Sequence, residues 1–235
     1  METASRRVEI ATSLSAVRQR LARASERAGR FPSSVRLVAV SKTRPAGDVR
    51  AAFDAGQTEF GENRVQEALE KIAATSDIPI TWHLVGHLQS NKARRAAESF
   101  ACVHSIDSVD LLKRVDAAAE AAGRRPELLV QVDLAGEATK HGAPADAWLT
   151  LFEAAAECRA ARVTGLMLLP PFTPDPEDAR PYFRRLAGLR EELAARGVPR
   201  ETLRELSMGM SHDFEVAVEE GATIVRVGTA IFGER

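Results

Sequence analysis

The chain is poor in cysteine and in aromatic residues. It has 235 residues, of which two are cysteine and one is tyrosine, and aromatic residues other than histidine make up 5% of it. Cys102 and Cys158 are far apart and lack the Cys-x-x-Cys spacing of metal and redox sites. The sequence therefore indicates neither a disulfide framework nor a zinc site, and two reduced thiols are the simplest interpretation.

The sequence also lacks a bias in charge and a long apolar run. Its formal net charge is −1, and acidic residues are interspersed among the basic ones, which argues against a nucleic-acid-binding face. Arg6 and Arg7 are not followed by the continuous apolar segment of a signal peptide, and no run is long enough to span a bilayer. We therefore expect a soluble, cytoplasmic protein that binds neither nucleic acid nor membrane.

What the sequence does contain is a regular alternation of helical and strand-like segments. An amphipathic helix is predicted over residues 5–29, with Val8, Leu14, Val17 and Leu21 on its apolar face. Eight candidate strands follow, at residues 36–41, 58–61, 80–86, 102–106, 127–133, 163–168, 203–208 and 223–228. Stretches rich in alanine, leucine, arginine and glutamate separate them, and these have helical periodicity.

Eight strands that alternate with helices predict one α/β domain over residues 1–235. The expected fold is a (β/α)8 TIM barrel with an additional N-terminal helix, and a doubly wound open sheet is the alternative. Two observations favour the barrel. No Gly-x-Gly-x-x-Gly turn follows the first strand, and the candidate functional residues lie at the carboxyl ends of several different strands, which meet on one face of a barrel.

Lys42 is the first of these candidates. It ends the apolar run Leu37-Val38-Ala39-Val40-Ser41-Lys42. A lysine that is partly desolvated at the mouth of a barrel has its neutral amine favoured and can form a Schiff base with an aldehyde. A solvated lysine at a strand end is the alternative. Asn63, after the second strand, and His83, within the third, can converge on the same face.

The last two candidate strands carry a pattern suited to a phosphate group. Ser207 can donate its hydroxyl, while Gly209, Gly228 and Thr229 can present backbone N–H groups that a phosphate can approach closely. Ordinary turn glycines are the alternative. Barrels often bind phosphate at the loops after strands seven and eight, so a lysine together with such a cradle predicts pyridoxal 5′-phosphate as the ligand.

Arg226 is an unexpected cation in the apolar strand Ile224-Val225-Arg226-Val227. Its side chain should point into the barrel, where a guanidinium needs an acceptor. The nitrogen of a pyridine ring can supply one, and a permanently protonated guanidinium would keep that nitrogen unprotonated and weaken the ring as an electron sink. An internal salt bridge to Glu59, Glu62 or Asp133 is the alternative.

Several segments occur in the order and spacing of a known family. They are Val40-Ser41-Lys42-Thr43, Phe60-Gly61-Glu62-Asn63 with Val65-Gln66-Glu67, Trp82-His83 through Gly86, Leu88-Gln89-Ser90-Asn91-Lys92, Ser207-Met208-Gly209-Met210-Ser211, and Val225 through Gly233. Over residues 37–233 the chain resembles the pyridoxal phosphate homeostasis protein family. That family is in turn similar to the barrel domain of alanine racemases.

The resemblance implies that Lys42 forms an internal aldimine with pyridoxal phosphate and that Arg226 meets the pyridine nitrogen. It implies phosphate contacts from Ser207, Gly228 and Thr229, and it places Asn63 and His83 near the ring without a defined role. Members of the family are regarded as carriers or regulators that act in vitamin B6 homeostasis and amino-acid balance, without an established catalytic reaction.

The chain departs from the family pattern at two positions. Arg64 stands where the family commonly has tyrosine, and His87 replaces a frequent proline. Neither touches the lysine or the phosphate segments, so only the rim of the pocket is put in doubt. His104, His141 and His212 are dispersed without metal-ligand spacing, and we expect no metal site. Lys140 lies in the predicted loop after the fifth strand, where a second amine could exchange cofactor, although a solvated loop lysine is favoured.

A carrier is favoured over an enzyme because a second acid/base group is missing. Two-base racemisation needs a residue opposite the lysine, commonly a tyrosine. The single tyrosine, Tyr182, begins an amphipathic helix, where a core or interface position is expected. We expect a monomer without a catalytic residue, which can pass pyridoxal phosphate to dependent apoenzymes. A racemase-like enzyme acting on a small amino acid is the alternative, and a phosphate-metabolite barrel enzyme without pyridoxal phosphate is a third class.

Overall fold

Eight short apolar segments form the strands of a closed parallel barrel. The structure, a computed structural model, describes residues 2–134 and 141–234. Its strands are β1 (Arg36–Val40), β2 (Glu59–Glu62), β3 (Thr81–Leu84), β4 (Cys102–Ile106), β5 (Glu127–Gln131), β6 (Arg162–Met167), β7 (Glu205–Ser207) and β8 (Ile224–Val227). They are hydrogen-bonded in sequence order, and β1 pairs with β8 from Arg36 opposite Ile224 to Ala39 opposite Val227. The predicted (β/α)8 barrel is confirmed.

Helices alternate with these strands and cover the outside of the barrel. They are α1 (Glu2–Arg27), α2 (Ala46–Asp54), α3 (Val65–Ala74), α4 (Ala93–Ser99), α5 (Val109–Ala121), α6 (Trp148–Ala155), α7 (Arg180–Ala195), α8 (Phe214–Glu219) and α9 (Thr229–Phe232). The last of them, α9, was not predicted, because four residues are too few to show a helical period. In the described part of the chain, no helix combines the length and the apolar character that crossing a membrane requires.

The additional N-terminal helix is present, and its buried face differs at one position from the predicted one. Leu14, Val17 and Leu21 are buried, as expected, but Val8 is 66% exposed and Ile10 takes its place in the core. Helix α1 packs on α2, α8 and α9. The spacing from residue 10 to residues 14, 17 and 21 follows the helical period more closely than a face that begins at residue 8.

Two apolar layers and a set of polar groups fill the molecule. The larger layer lies between the barrel and its helices, while Val38, Leu129, Met167 and Ile224 belong to a small cluster inside the barrel. At the amino-terminal end of the barrel, Arg36 is surrounded by carboxylates that begin other strands. Its guanidinium lies 3.4 Å from Glu205, 3.6 Å from Glu127 and 3.9 Å from Glu59. Because these ion pairs fill the amino-terminal end, we expect the functional side chains at the opposite, carboxyl end of the barrel.

A close backbone approach between β6 and β7 gives a test of the barrel packing. A Cβ atom on Gly165 would lie 2.0 Å from the carbonyl oxygen of Glu205, a backbone atom that cannot rotate away. We expect Gly165→Ala to lower the free energy of unfolding by about 1–3 kcal/mol, measured by urea denaturation. Gly188→Ala is the control. Gly188 lies within α7 and has open space where a methyl group would be added, so we expect stabilisation by about 0.4–1 kcal/mol. Equal shifts of the two midpoints would contradict the packing described here.

Candidate functional site

Lys42 lies just beyond the carboxyl end of β1 and lines an open cleft. The cleft has a volume of about 450 Å³, and Gly228, Thr229 and Phe232, from the end of β8 and from α9, also line it. Lys42 is partly buried. Its amine makes no hydrogen bond or ion pair with any residue that the structure describes. The amine is thus available to a ligand in the cleft, as a lysine nucleophile must be.

A buried ionic cluster holds the backbone next to Lys42. Ser41 Oγ donates a hydrogen bond to Glu62 Oε1 at 2.6 Å, and Lys71 Nζ donates both to Ser41 O at 2.6 Å and to Glu62 Oε1 at 2.7 Å. Burial raises the pKa of Glu62, while the bonds from Lys71 and Ser41 oppose that rise. Because all three residues are buried, the position of residue 41, and with it the base of Lys42, is fixed.

The residue after Lys42 has a strained backbone. Thr43 has a φ of 62°, a left-handed conformation that is rare for a β-branched residue. Its N–H donates to Glu67 Oε1 at 2.5 Å, and Lys71 Nζ donates to the same oxygen at 2.7 Å. Strained residues of this kind persist where the surroundings over-determine them, often at ligand sites. Glu62, Glu67 and Lys71 were not predicted as site residues, although the i, i+4 spacing of Glu67 and Lys71 on one helix was a usable signal.

Across the cleft, the turn after β8 presents a set of backbone donors. Ser211 Oγ accepts hydrogen bonds from Gly228 N at 3.1 Å and from Ala230 N at 3.2 Å. A Cβ atom on Gly228 would lie 3.1 Å from Val40 O, so a small residue is favoured where β8 leaves β1. These N–H groups point at one oxygen now and can point at the oxygens of an anion. Ser211 belongs to one of the sequence motifs but was not predicted as a site residue.

Gly209 shapes this turn instead of lining the cleft. It is buried, with a φ of 92°, and a Cβ atom there would lie 2.6 Å from Ala217 Cβ. Its carbonyl oxygen accepts a hydrogen bond from Arg226 N at 2.9 Å. The glycine therefore allows the chain to reverse after β7, so that Ser211 can reach the end of β8.

Arg226 lies inside the barrel, as predicted, with protein acceptors. Its Nη1 donates to Ser207 Oγ at 2.6 Å and its Nη2 donates to Leu168 O at 2.8 Å. Burial lowers the pKa of Arg226 to about 10, and the charge of Asp213 opposes that fall. The guanidinium remains protonated at neutral pH. Glu59 and Glu62, which the sequence offered as alternative partners, bind other groups.

The contacts of Arg226 continue as a chain of polar groups through the barrel interior. Ser207 Oγ lies 2.8 Å from His104 Nδ1, and His104 Nε2 lies 3.0 Å from His83 Nδ1. His83 Nε2 in turn lies 3.0 Å from Glu59 Oε2. Burial, and then the neighbouring His83 and Arg226, hold the pKa of His104 well below its usual value, so this imidazole is neutral.

The donors and acceptors of these polar groups indicate the direction of the hydrogen bonds from Arg226 to His83. Arg226 can only donate, so Ser207 Oγ accepts a hydrogen bond from it. The Ser207 hydroxyl can in turn donate a hydrogen bond to His104 Nδ1. The neutral His104 can then donate from Nε2 to His83 Nδ1. His83 Nε2 lies 3.0 Å from Glu59 Oε2, but this contact lacks hydrogen-bond geometry and is electrostatic. Burial acts to raise the pKa of Glu59, but the contact with His83 and the charge of Arg36 outweigh it, and the pKa is lowered. The carboxylate therefore stays ionised at the far end.

The structure brings only some of the predicted residues to the Lys42 cleft. Lys42, Gly228 and Thr229 line it. Ser207 and His83 are fully buried in the interior chain below it, so the hydroxyl predicted for a phosphate is already bonded to Arg226. Asn63 lines a neighbouring cleft instead. Lys140 lies outside the described residues.

The single tyrosine is placed away from Lys42. Tyr182, on α7, is partly buried and packs against the apolar layer between the barrel and its helices. It is not among the residues that line the cleft. The core or interface position predicted for it agrees with this placement.

Comparisons with known proteins identify the family of this chain. The family described as alanine racemase, N-terminal domain, matches residues 12–235. A protein of Aquifex aeolicus named pyridoxal phosphate homeostasis protein is 44% identical over 225 residues, which cover 94% of this chain and 96% of that one. A protein of the same name from Pseudomonas aeruginosa is 42% identical over 226 residues, 96% of each chain.

Solved structures divide into near and distant matches. PipY of Synechococcus elongatus, solved with PLP bound, is 40% identical, with a TM-score of 0.85 over 95% of this chain and 100% of that one. An alanine racemase of Streptomyces coelicolor is 22% identical, with a TM-score of 0.69 over 99% of this chain and 59% of that one, and shows the fold alone. The chain thus belongs to the pyridoxal phosphate homeostasis protein family, whose barrel is that of the alanine racemase N-terminal domain.

Proposed function

We propose that this protein binds pyridoxal 5′-phosphate at Lys42 and acts in intracellular vitamin B6 homeostasis and amino-acid balance, holding the cofactor without catalytic turnover. One observation carries the proposal. The unpaired amine of Lys42 shares a cleft with the turn at Gly228 and Thr229, whose neighbouring N–H groups converge on one oxygen. The relatives that are named for pyridoxal phosphate homeostasis, and PipY with PLP bound, support the same ligand.

The residues present fit the ligand at both of its reactive ends. Pyridoxal phosphate supplies an aldehyde, which the neutral amine of Lys42 can attack. The N–H groups of Gly228 and Ala230, the hydroxyl of Thr229 and the hydroxyl of Ser211 are suited to a phosphate, because each can donate to its oxygens. These four positions replace Ser207 and Gly209 as the proposed phosphate contacts.

Arg226 is assigned to the ring side of the site. Two of its five donors are used by Ser207 and Leu168, and the others remain for a ring nitrogen. A guanidinium that only donates keeps such a nitrogen unprotonated, which weakens electron withdrawal from a bound substrate. Ser207 and His83 act as positioning residues for Arg226, and Asn63 belongs to the neighbouring rim.

The racemase alternative has less support. Tyr182 packs in the outer layer, and the racemases among the solved structures are distant in sequence. We further propose a single-domain, monomeric and cytoplasmic carrier, from which pyridoxal phosphate-dependent apoenzymes take up cofactor. The closed barrel that includes every described strand supports the single domain.

Replacement of Lys42 tests the covalent step. The protein loaded with pyridoxal phosphate and reduced with borohydride should carry a stable adduct on the Lys42 peptide, detected by mass spectrometry. Lys42→Ala should abolish this adduct and retain weaker, reversible binding through the phosphate. Lys113→Ala, on the exposed face of α5, is the control and should label like the wild type. An adduct that persists in Lys42→Ala would overturn the assignment.

Two serine variants test the assignment of the phosphate contacts. Ser211→Ala should weaken binding of pyridoxal phosphate about tenfold and leave binding of pyridoxal, which has no phosphate, unchanged. Ser207→Ala should mainly lower the free energy of unfolding, by about 1–3 kcal/mol, because a buried guanidinium loses an acceptor. For each variant, absorbance titration measures the ratio of the affinity for pyridoxal phosphate to the affinity for pyridoxal. A ratio that falls in Ser207→Ala and not in Ser211→Ala would restore the assignment made from sequence.

Hydrogen exchange tests the absence of turnover. The loaded protein, incubated with alanine or other small amino acids in heavy water, should show no loss of the α-proton NMR signal beyond that in Lys42→Ala. Exchange that depends on Lys42 would establish a racemase-like enzyme and overturn the carrier proposal.

A further inference from the structure

A second cleft lies beside the Lys42 cleft at the carboxyl end of the barrel. It has a volume of about 560 Å³ and is formed by the segments that follow β2 and β3, with His141 from the segment after β5. Two of the sequence motifs, over residues 60–67 and 88–92, contribute most of its lining, yet the proposed binding of pyridoxal phosphate takes no ligand contact from the residues that line this cleft. This cleft has no assigned function.

The shape of the cleft is set by backbone contact. A Cβ atom on Gly86 would lie 2.3 Å from the carbonyl oxygen of Asn63, so the segments after β2 and β3 are pressed together without an intervening side chain. The side chains beyond this contact, Arg64 and Gln66 on one side and Gln89 on the other, are therefore held around a common space. A preformed cleft of this kind is typical of small-molecule sites.

Among the residues that the structure describes, the lining of the cleft is rich in donors and contains no acidic side chain. Arg64 and Lys92 line it, and both are exposed. Neither makes an ion pair or a side-chain hydrogen bond with residues in the described part of the chain. Arg180, by contrast, is paired with Glu177, Glu219 and Glu220. Two unpaired cations in one concavity indicate an anionic ligand.

His87 lies at the edge of the cleft between an acidic residue and a second histidine. Its Nδ1 lies 3.5 Å from Asp107 Oδ2, and its ring stacks on that of His141 with 3.6 Å between the ring centres. Asp107 does not line the cleft, so its carboxylate supports the ring from behind. Burial and the neighbouring His141 lower the pKa of His87, and the charge of Asp107 only opposes that fall. The nitrogen that does not face Asp107 is left for a ligand, and the positive charge of the cleft comes from Arg64 and Lys92.

A metal ion is the competing occupant. The ring nitrogens of His87 and His141 and a carboxylate oxygen of Asp107 lie within 4.8 Å of one another, close enough to converge on a cation. However, a cation would have a single carboxylate to neutralise it and would meet the charges of Arg64 and Lys92, which line the same space. The electrostatics of the whole cleft favour an anion.

We infer that this cleft binds the dianionic phosphate group of a small phosphate monoester. Arg64 offers a planar fork that matches a phosphate, Lys92 adds a second positive charge, and Gln66 and Gln89 can donate to the remaining oxygens. A zwitterionic amino acid is a poorer match, because its ammonium would meet two cations and, among the described lining residues, no acidic side chain. The volume leaves room for an organic group beyond the phosphate. This inference stands independently of the role of Lys42.

The experiment first blocks the Lys42 cleft, since the proposed cofactor also carries a phosphate. Protein loaded with pyridoxal phosphate and reduced with borohydride is titrated with inorganic phosphate and with glycerol 3-phosphate by calorimetry. If reduction leaves no adduct, the proposed function fails, and the titration is performed on the unmodified protein with Ser211→Ala alongside, so the two failures are distinguishable. Saturable binding of either probe to one site is the expected result.

Charge-removing variants then place the site. Arg64→Gln and Lys92→Gln should each weaken binding of both probes about tenfold. Arg124→Gln removes an exposed arginine between α5 and β5, at the opposite end of the barrel, and should bind like the wild type. Tighter binding of the ester than of inorganic phosphate would support recognition of an organic group. Equal affinity of all variants, no binding of either probe, or binding of Zn²⁺ in place of phosphate that is lost in His87→Asn would overturn the inference.

Discussion

The buried guanidinium of Arg226 is the constraint on which the interior of this barrel depends. A guanidinium has only donors, so it must be surrounded by acceptors. Each acceptor that also carries an O–H or N–H group needs an acceptor for that group in turn. Ser207, His104 and His83 follow one another in this way, and His83 Nε2 lies beside the carboxylate of Glu59. These polar groups link a buried cation to a carboxylate through the interior of the barrel.

Two lysines at the edge of the barrel, Lys71 and Lys42, have different roles. Lys71 pairs with Glu62 and Glu67, at 2.7 Å each, while the amine of Lys42 pairs with none of the described residues. The same cluster holds Ser41 on one side of Lys42 and the strained Thr43 on the other. Lys42 therefore has a rigid base and a free end, which is the combination that a covalent anchor needs. The rigidity comes from residues that would never touch the ligand.

Much of this arrangement could be predicted from the sequence, for identifiable reasons. The strands were found because buried parallel strands are continuous apolar runs, and Lys42, Gly228 and Thr229 were found because they follow such runs directly. The choice between Ser207 and Ser211 was beyond the sequence, because it depends on the left-handed turn at Gly209 that reverses the chain between them. The contact of His83 with His104 joins two strands through their side chains, and no local pattern reports it. The support of Lys42 by Glu62, Glu67 and Lys71 was missed for the same reason, since it joins a strand, a helix and a turn.

The position of the Lys42 cleft has a consequence for the folding of the chain. Lys42 follows the first strand and Gly228 follows the last, so the two halves of the site lie on either side of the seam where the barrel closes. Arg6 ties the N-terminal helix across the same seam, to Asp48 after β1 and to the carbonyl of Phe232 after β8. A ligand held from both sides would bind the closed barrel and not the open sheet, and would stabilise closure by mass action. Occupancy of this cleft would then report that the whole barrel, from first strand to last, has been assembled.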